Sequence, residues 1–224
     1  MELRSDASAE DPHGGSRQGI TQARARAAFL QRIGGPAVDA GQLLARVDGV
    51  ARSDTGLLGV VLGAVAGRGG EGPGADRTAG ALTALAAYGA LAAHRPERPA
   101  AEQSSVCAEQ TSVWGLDLAT GSLLRVPRED AFGAPPLPRP PFRPPVGAAA
   151  GLTWISAVET GLAQHCEVLL GQQSRVSAEF GPARPVEALR AHGRAPVAVL
   201  LDHDPRAVAI LPYLVRIALL ETAG

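Results

Sequence analysis

Lysine is absent. All 21 basic residues are arginines, set against 22 acids for a net charge of −1. That balance leaves no basic surplus for a polyanion. No arginine cluster stands on a predicted helix face either, so nucleic acid is not expected as a partner. The all-arginine usage reads as compositional bias rather than as a phosphate-binding device. A P-loop is excluded as well. "GRGGEGPG" (67–74) lacks the Lys-Ser/Thr ending that such a loop needs and the spacing of a dinucleotide fingerprint, and reads as a flexible loop.

Cysteine is nearly absent too. Cys107 and Cys166 lie far apart with no metal-ligand spacing around either, which excludes a disulfide framework and fits a reducing compartment. The first eighteen residues, "MELRSDASAEDPHGGSRQ", contain no apolar segment of the kind a secretory signal needs. The longest uncharged run, Thr78 to Ala93, is mostly Ala and Gly and too short to span a bilayer. A cytoplasmic protein with no membrane partner is expected.

What is present is enough apolar sequence for one large domain. Residues 1–18 read as a disordered tail, and 19–224 as a single domain. A helix is predicted from about Ile20 to a stop at Gly34-Gly35-Pro36. "DTGLLGVVLGAVAG" (54–67) reads as a strand after a Thr55-Gly56 turn. "TAGALTALAAYGALAAH" (78–94) reads as a helix capped by Asp76 or Thr78 and closed at Arg95-Pro96. Being apolar all round, it should be buried on several sides. "SVWGLDLATGSLLRVPRED" (112–130) alternates as a β-hairpin turning at 117–121. A connector at 132–147, with seven prolines, favours polyproline II.

A helix follows in "GLTWISAVETGLAQHCEVLL" (151–170). Its period places Trp154, Ile155, Val158, Leu162, Cys166 and Leu169 on one apolar face, with Gln164 and Glu167 neighbours on the opposite side. "APVAVLLDH" reads as a buried strand, "DPRAVAIL" as a short helix and "YLVRIALLE" as a further strand. The connection is at the lower limit for a parallel crossover. The expected class is α/β, with α+β as the alternative: a mixed sheet packed by Ala-rich helices.

Two clusters invite chemistry. His165 and Cys166 are adjacent on a helix and point about 100° apart, which prevents a direct dyad; Cys166 reads as a core residue. "DHDP" (202–205) puts two carboxylates and an imidazole at a strand end. Asp204-Pro205 reads as a helix start capped by Asp204, which leaves Asp202 and His203 without a role and short of a metal-ligand set.

Two further stretches carry a resemblance. "GAAAGLTWISAVETGLAQHCE" (147–167) is similar to the YcaO pattern of a Gly/Ala-rich strand end followed by a helix with a Glu-x-x-Glu pair. "GEGPGADRTAGALTALAAYGAL" (70–91) resembles the other YcaO helix, usually Ser-Ala-Leu-Gly-Glu-Ala-x-Glu-Arg. "TGLLGVV" and "VWGLDLATGSLLRVP" resemble the family's Thr-Gly segment and Leu-x-Thr-Gly hairpin, in the right order from about residue 40 onward. The resemblance implies ATP-dependent amide activation. A substrate Cys, Ser or Thr attacks the preceding carbonyl, the oxyanion is phosphorylated, and loss of phosphate leaves an azoline. The family's paired glutamates hold Mg²⁺ on the nucleotide, as a hard cation requires.

Carried across, Thr83 takes the Ser position of the implied nucleotide site. Ala87 and Ala90 stand at two Glu positions, Leu91 at the Arg, Gln164 at a third Glu, and only Glu167 is retained. The chain also ends short of the usual YcaO length, at Gly224. The resemblance thus implies a degenerate or auxiliary cyclodehydratase subunit of azole or azoline peptide biosynthesis, thiopeptides included. Its partners would be a precursor peptide and a leader-binding or complete cyclodehydratase protein. Two alternatives stand beside it. One is an active cyclodehydratase using ATP and Mg²⁺ through Glu167, with replacement ligands from Glu109, Glu159 or Asp202. The other is a non-catalytic partner-docking module.

Overall fold

The computed structural model describes residues 14–66, 74–94, 111–134, 142–171 and 183–222. In chain order these form α1 (Gly14–Ile33), α2 (Ala40–Ser53), α3 (Leu57–Ala66), α4 (Gly74–Ala93), β1 (Ser112–Asp117), β2 (Leu123–Pro127), α5 (Arg128–Phe132), β3 (Ala148–Ala150), α6 (Trp154–Leu170), α7 (Ala183–Ala191), β4 (Arg194–Leu200), α8 (Pro205–Ile210) and β5 (Leu214–Glu221). The five strands make one sheet, ordered β2-β1-β4-β5-β3. Helices and sheet together bear out a mixed α/β class.

Local chemistry sets several boundaries. Asp117 Oδ1 accepts the Ala119 N–H at 2.8 Å and Gly121 takes a positive φ of 70°, which closes the β1–β2 hairpin where the sequence places its turn. Thr153 caps α6 through a reciprocal box with Ser156, each side chain accepting the other's backbone N–H at 3.1 Å. Asp204 caps α8 by accepting the Arg206 N–H at 2.9 Å, with Pro205 in the first turn.

Other expectations are overturned. Residues 57–66 are helical, not a strand. Leu58, Val61 and Leu62 are buried while Val60 is 52% exposed, a helical period that a short apolar run does not advertise by itself. The Asp54 carboxylate accepts the Gly56 N–H at 2.6 Å just before this helix. Residues 14–18 belong to α1, not to a tail. α4 begins at Gly74, so Asp76 lies in its first turn instead of capping it. Among the described residues every strand pairing is antiparallel, β4 with β5 included, so the sheet is not mixed and α8 spans a tight antiparallel connection. Ile155 and Leu169 are 57% and 48% exposed, so the apolar face of α6 narrows to Trp154, Val158, Leu162 and Cys166. α2 and α7 form where the sequence suggested no element. The Arg95-Pro96 stop and residues 135–141 of the proline run lie outside the described residues.

Helices cover both faces of the sheet. Adjacent strand residues point to opposite sides. Ile217 of β5 lies against Gly161 of α6, where a Cβ would stand 2.6 Å from the isoleucine side chain. Arg216 turns the other way, toward Gly133 at the end of α5. α6 and α7 therefore lie on the Ile217 side. α5 and the end of α4 lie on the Arg216 side, tied by Arg128 donating to the Ala93 carbonyl, and α2, α3 and α8 pack around α4. The edge strand β3 is held between α4 and α6. Its three alanines are all buried, since only a small side chain fits between two helices that close.

Candidate anion site at the sheet edge

Arg216 is the one charged residue in the interior of strand β5, whose other charge, Glu221, ends it, and the fold brings Arg128 and His94 near it. Its Nη1 donates to the Val146 carbonyl, while Nε is buried without a hydrogen-bond partner. Burial pushes the guanidinium below the ordinary arginine value. Gly133 ends α5 with a φ of 63°, which favours glycine, and lies in ordinary contact range of Nη2.

Phe132 organises the rest. The Arg128 guanidinium sits 5.2 Å above its ring, and His94 and His203 meet its edge at centroid distances of 6.1 and 5.3 Å. His94 Nε2 is buried and unpartnered. Burial lowers the His94 pKa most, and the nearby Arg128 and Arg216 charges lower it further against a hydrogen bond to the Phe132 backbone. None of the ion pairs among the described residues involves Arg128, Arg216 or His94. Among the described residues, the carboxylates nearest in sequence make no ion pair with them. Glu129, Asp130 and Asp202 are exposed, and Asp204 is held by Arg206 and Tyr88. A half-buried guanidinium with no counter-charge is costly, by several kcal/mol when fully desolvated, unless an anion arrives to pair it.

α6 reaches the same edge from the other face. Gln164 Oε1 accepts the Gly147 N–H at 2.7 Å, and its Nε2 donates to the Ala148 carbonyl at 3.4 Å. His165 Nε2 bonds the Ile217 carbonyl at 2.8 Å. Burial is the main cause of its lowered pKa, with Arg216 adding to it against that backbone bond. Gly147 has a φ of 87°, and a Cβ on it would stand 2.4 Å from the His165 ring, so no other residue fits this crossing.

The remaining positions singled out from the sequence do not assemble a metal centre. Thr83 is exposed and donates to the Ala79 carbonyl at 2.8 Å. Ala87, Ala90 and Leu91 are buried at 1%, 4% and 8%, lining the stripe of α4 that ends at His94. Glu167 is exposed one turn beyond Gln164, Glu159 is half-buried and Asp202 exposed. Cys166 is packed in the core, where burial pushes its thiol upward. His203 lies on Phe132, and Cys107 and Glu109 fall outside the described residues. Among the described residues no three His, Cys, Asp or Glu side chains converge as metal ligands. Mg²⁺ wants hard anionic oxygens, and this edge offers guanidinium, imidazole and amide groups. The donor set fits a phosphate and does not fit its metal.

Arg216, Arg128 and His94 were not identified from the sequence. One signal was available: a single arginine inside the otherwise apolar "YLVRIALL". The all-arginine bias, read as compositional, does yield a basic cluster once β5, α5 and the end of α4 are brought together. No described helix is long and apolar enough to cross a membrane. Compared with known proteins, the chain matches no family model, no curated protein and no solved structure.

Proposed function

We propose that this chain is a YcaO-like auxiliary subunit of azole or azoline peptide maturation in the cytoplasm. In this reading it binds a phosphate-bearing ligand at Arg216 and leaves the metal-dependent phosphoryl transfer to a complete cyclodehydratase partner acting on the precursor peptide. The observation that carries this is the Arg216 guanidinium, half-buried beside Arg128 and His94 with no carboxylate among the described residues to pair it. Phosphoryl transfer depends on a cation that neutralises charge between the phosphates. Here the expected carboxylate positions are the buried Ala87 and Ala90 and the engaged Gln164, so phosphate recognition is supported without metal recruitment.

The test is calorimetry of the full chain with inorganic phosphate and with ADP, in EDTA and in excess Mg²⁺. Binding should be equal in both conditions, and Arg216→Met should weaken it by about tenfold or more. ATP turnover by the isolated chain, or binding that requires Mg²⁺, would overturn the auxiliary role. Partner docking draws support from a groove of about 480 Å³ on the opposite side of the sheet, walled by Leu118, Trp154, Ile155, Val158 and Val186 with Arg190 at its rim.

A further inference from the structure

We propose that Gln164 is a positioning residue that keeps the sheet edge selective for anions, an inference resting on the function proposed above. The Gly147 N–H and the Val146 carbonyl belong to one peptide group, a rigid plane. Gln164 Oε1 accepts the N–H end of that plane at 2.7 Å, and Arg216 Nη1 donates to its carbonyl end. The side chain on α6 and the guanidinium on the far face of the sheet thus grip the same peptide from its two ends. The plane cannot tilt at one end without tilting at the other. Hydrogen bonds at the two ends of a peptide also polarise one another. Holding Nη1 on Val146, with Nε buried, leaves Nη2 as the guanidinium nitrogen for a ligand.

Only an amide performs this task. Gln164 accepts from Gly147 and donates to Ala148, two bonds of opposite sense. A glutamate of the same length could accept from Gly147 but not donate to Ala148. It would also place a carboxylate one peptide group from Arg216, supplying a counter-charge that the cluster lacks among the described residues. The amide therefore decides the ligand class: with Gln the edge takes an oxyanion, with Glu it closes on itself as an ion pair.

The experiment titrates the full chain with inorganic sulfate, whose charge is constant through the carboxylate range, for wild type, Gln164→Glu and Gln164→Met. Wild type should bind without Mg²⁺. Gln164→Glu should bind about tenfold more weakly or worse. That deficit should close as pH falls below the ordinary glutamate value of about 4.3, since pairing with Arg216 lowers the new carboxyl's pKa before it is protonated. Gln164→Met, which removes the bonds and adds no charge, should bind a few-fold more weakly with no such pH dependence, and it carries the test if circular dichroism shows the Glu variant unfolded. Sulfate binding by both variants equal to wild type would overturn the positioning role while leaving the Arg216 site intact. Mg²⁺ binding gained by Gln164→Glu would return the position to a metal-ligand role and overturn it too. If wild type itself binds neither sulfate nor phosphate, the failure lies in the proposed function beneath it.

Discussion

Two charged clusters lie on the same side of the sheet, and they treat arginine oppositely. At α8, Arg206 meets Asp204 with Nε and Nη2 at 3.2 and 2.9 Å, reaches Asp54 at 3.1 Å, and shares Asp204 with the buried Tyr88 hydroxyl. That network ties the α2–α3 turn, α4 and α8 together. At β5, Arg216 has a backbone carbonyl and, among the described residues, no carboxylate. Paired charge at a chain crossing fastens elements; a half-buried charge without a partner at a sheet edge costs stability.

The contrast can be broken most severely by forcing a carboxylate onto the α4 stripe that leads to Arg216. Ala90→Glu would place one there, yet Ala90 is only 4% exposed. The added group must be accommodated in a packed interior, and a loss of about 3–5 kcal/mol is expected in urea denaturation. A variant as stable as wild type would show that the stripe opens.

Next in size is Asp204→Ala. It removes the α8 cap and leaves Arg206 and Tyr88 without their shared acceptor. A loss of about 2–3 kcal/mol is expected by the same measurement, against little change at exposed Asp202.

Acid should dissolve the paired cluster more gently. Burial alone would raise the Asp204 carboxyl, but hydrogen bonds from Arg206 and Tyr88 outweigh it and hold the pKa at about 2. A depressed carboxyl contributes stability that is full above the ordinary value near 3.8 and is lost as pH falls toward 2. With Arg206 56% exposed, roughly 1–2 kcal/mol should disappear in that window. His94 and His165, both depressed, act the same way at higher pH. Their contribution is complete above 6.5 and declines as pH falls below it. Denaturation midpoints across these ranges, compared with Asp204→Asn, separate the two contributions.

The smallest stability change, and the sharpest contrast, is expected at Arg216 itself. Arg216→Met trades one hydrogen bond for relief from an unpaired buried charge. It should stay within about 1 kcal/mol of wild type while losing phosphate binding. A severe loss of stability would make Arg216 a fastener like Arg206.

Much of this was legible along the chain wherever a side chain acts on its own backbone. Thr153, Asp204 and Asp117 each cap or turn the chain within three residues, so these boundaries follow from local sequence. The run 57–66 was misread because ten apolar residues with two glycines fit a buried strand as well as a helix, and only the burial of Leu58, Val61 and Leu62 against α2 and α4 decides between them. The antiparallel register of β4 with β5 was hidden for a similar reason. A short helix between strands does not state which way the second one runs.

By itself, then, the order of residues determined where α6, α8 and the β1–β2 turn begin, and that α4 is apolar nearly all round. Tertiary structure alone decided that Arg216, Arg128 and His94 share one edge, and that Gln164 and Arg216 hold opposite ends of a single peptide. The physical reason is range. Caps and periodicity are settled within a few residues, whereas a charge acquires its meaning from whatever the fold places beside it, up to 122 positions away between His94 and Arg216.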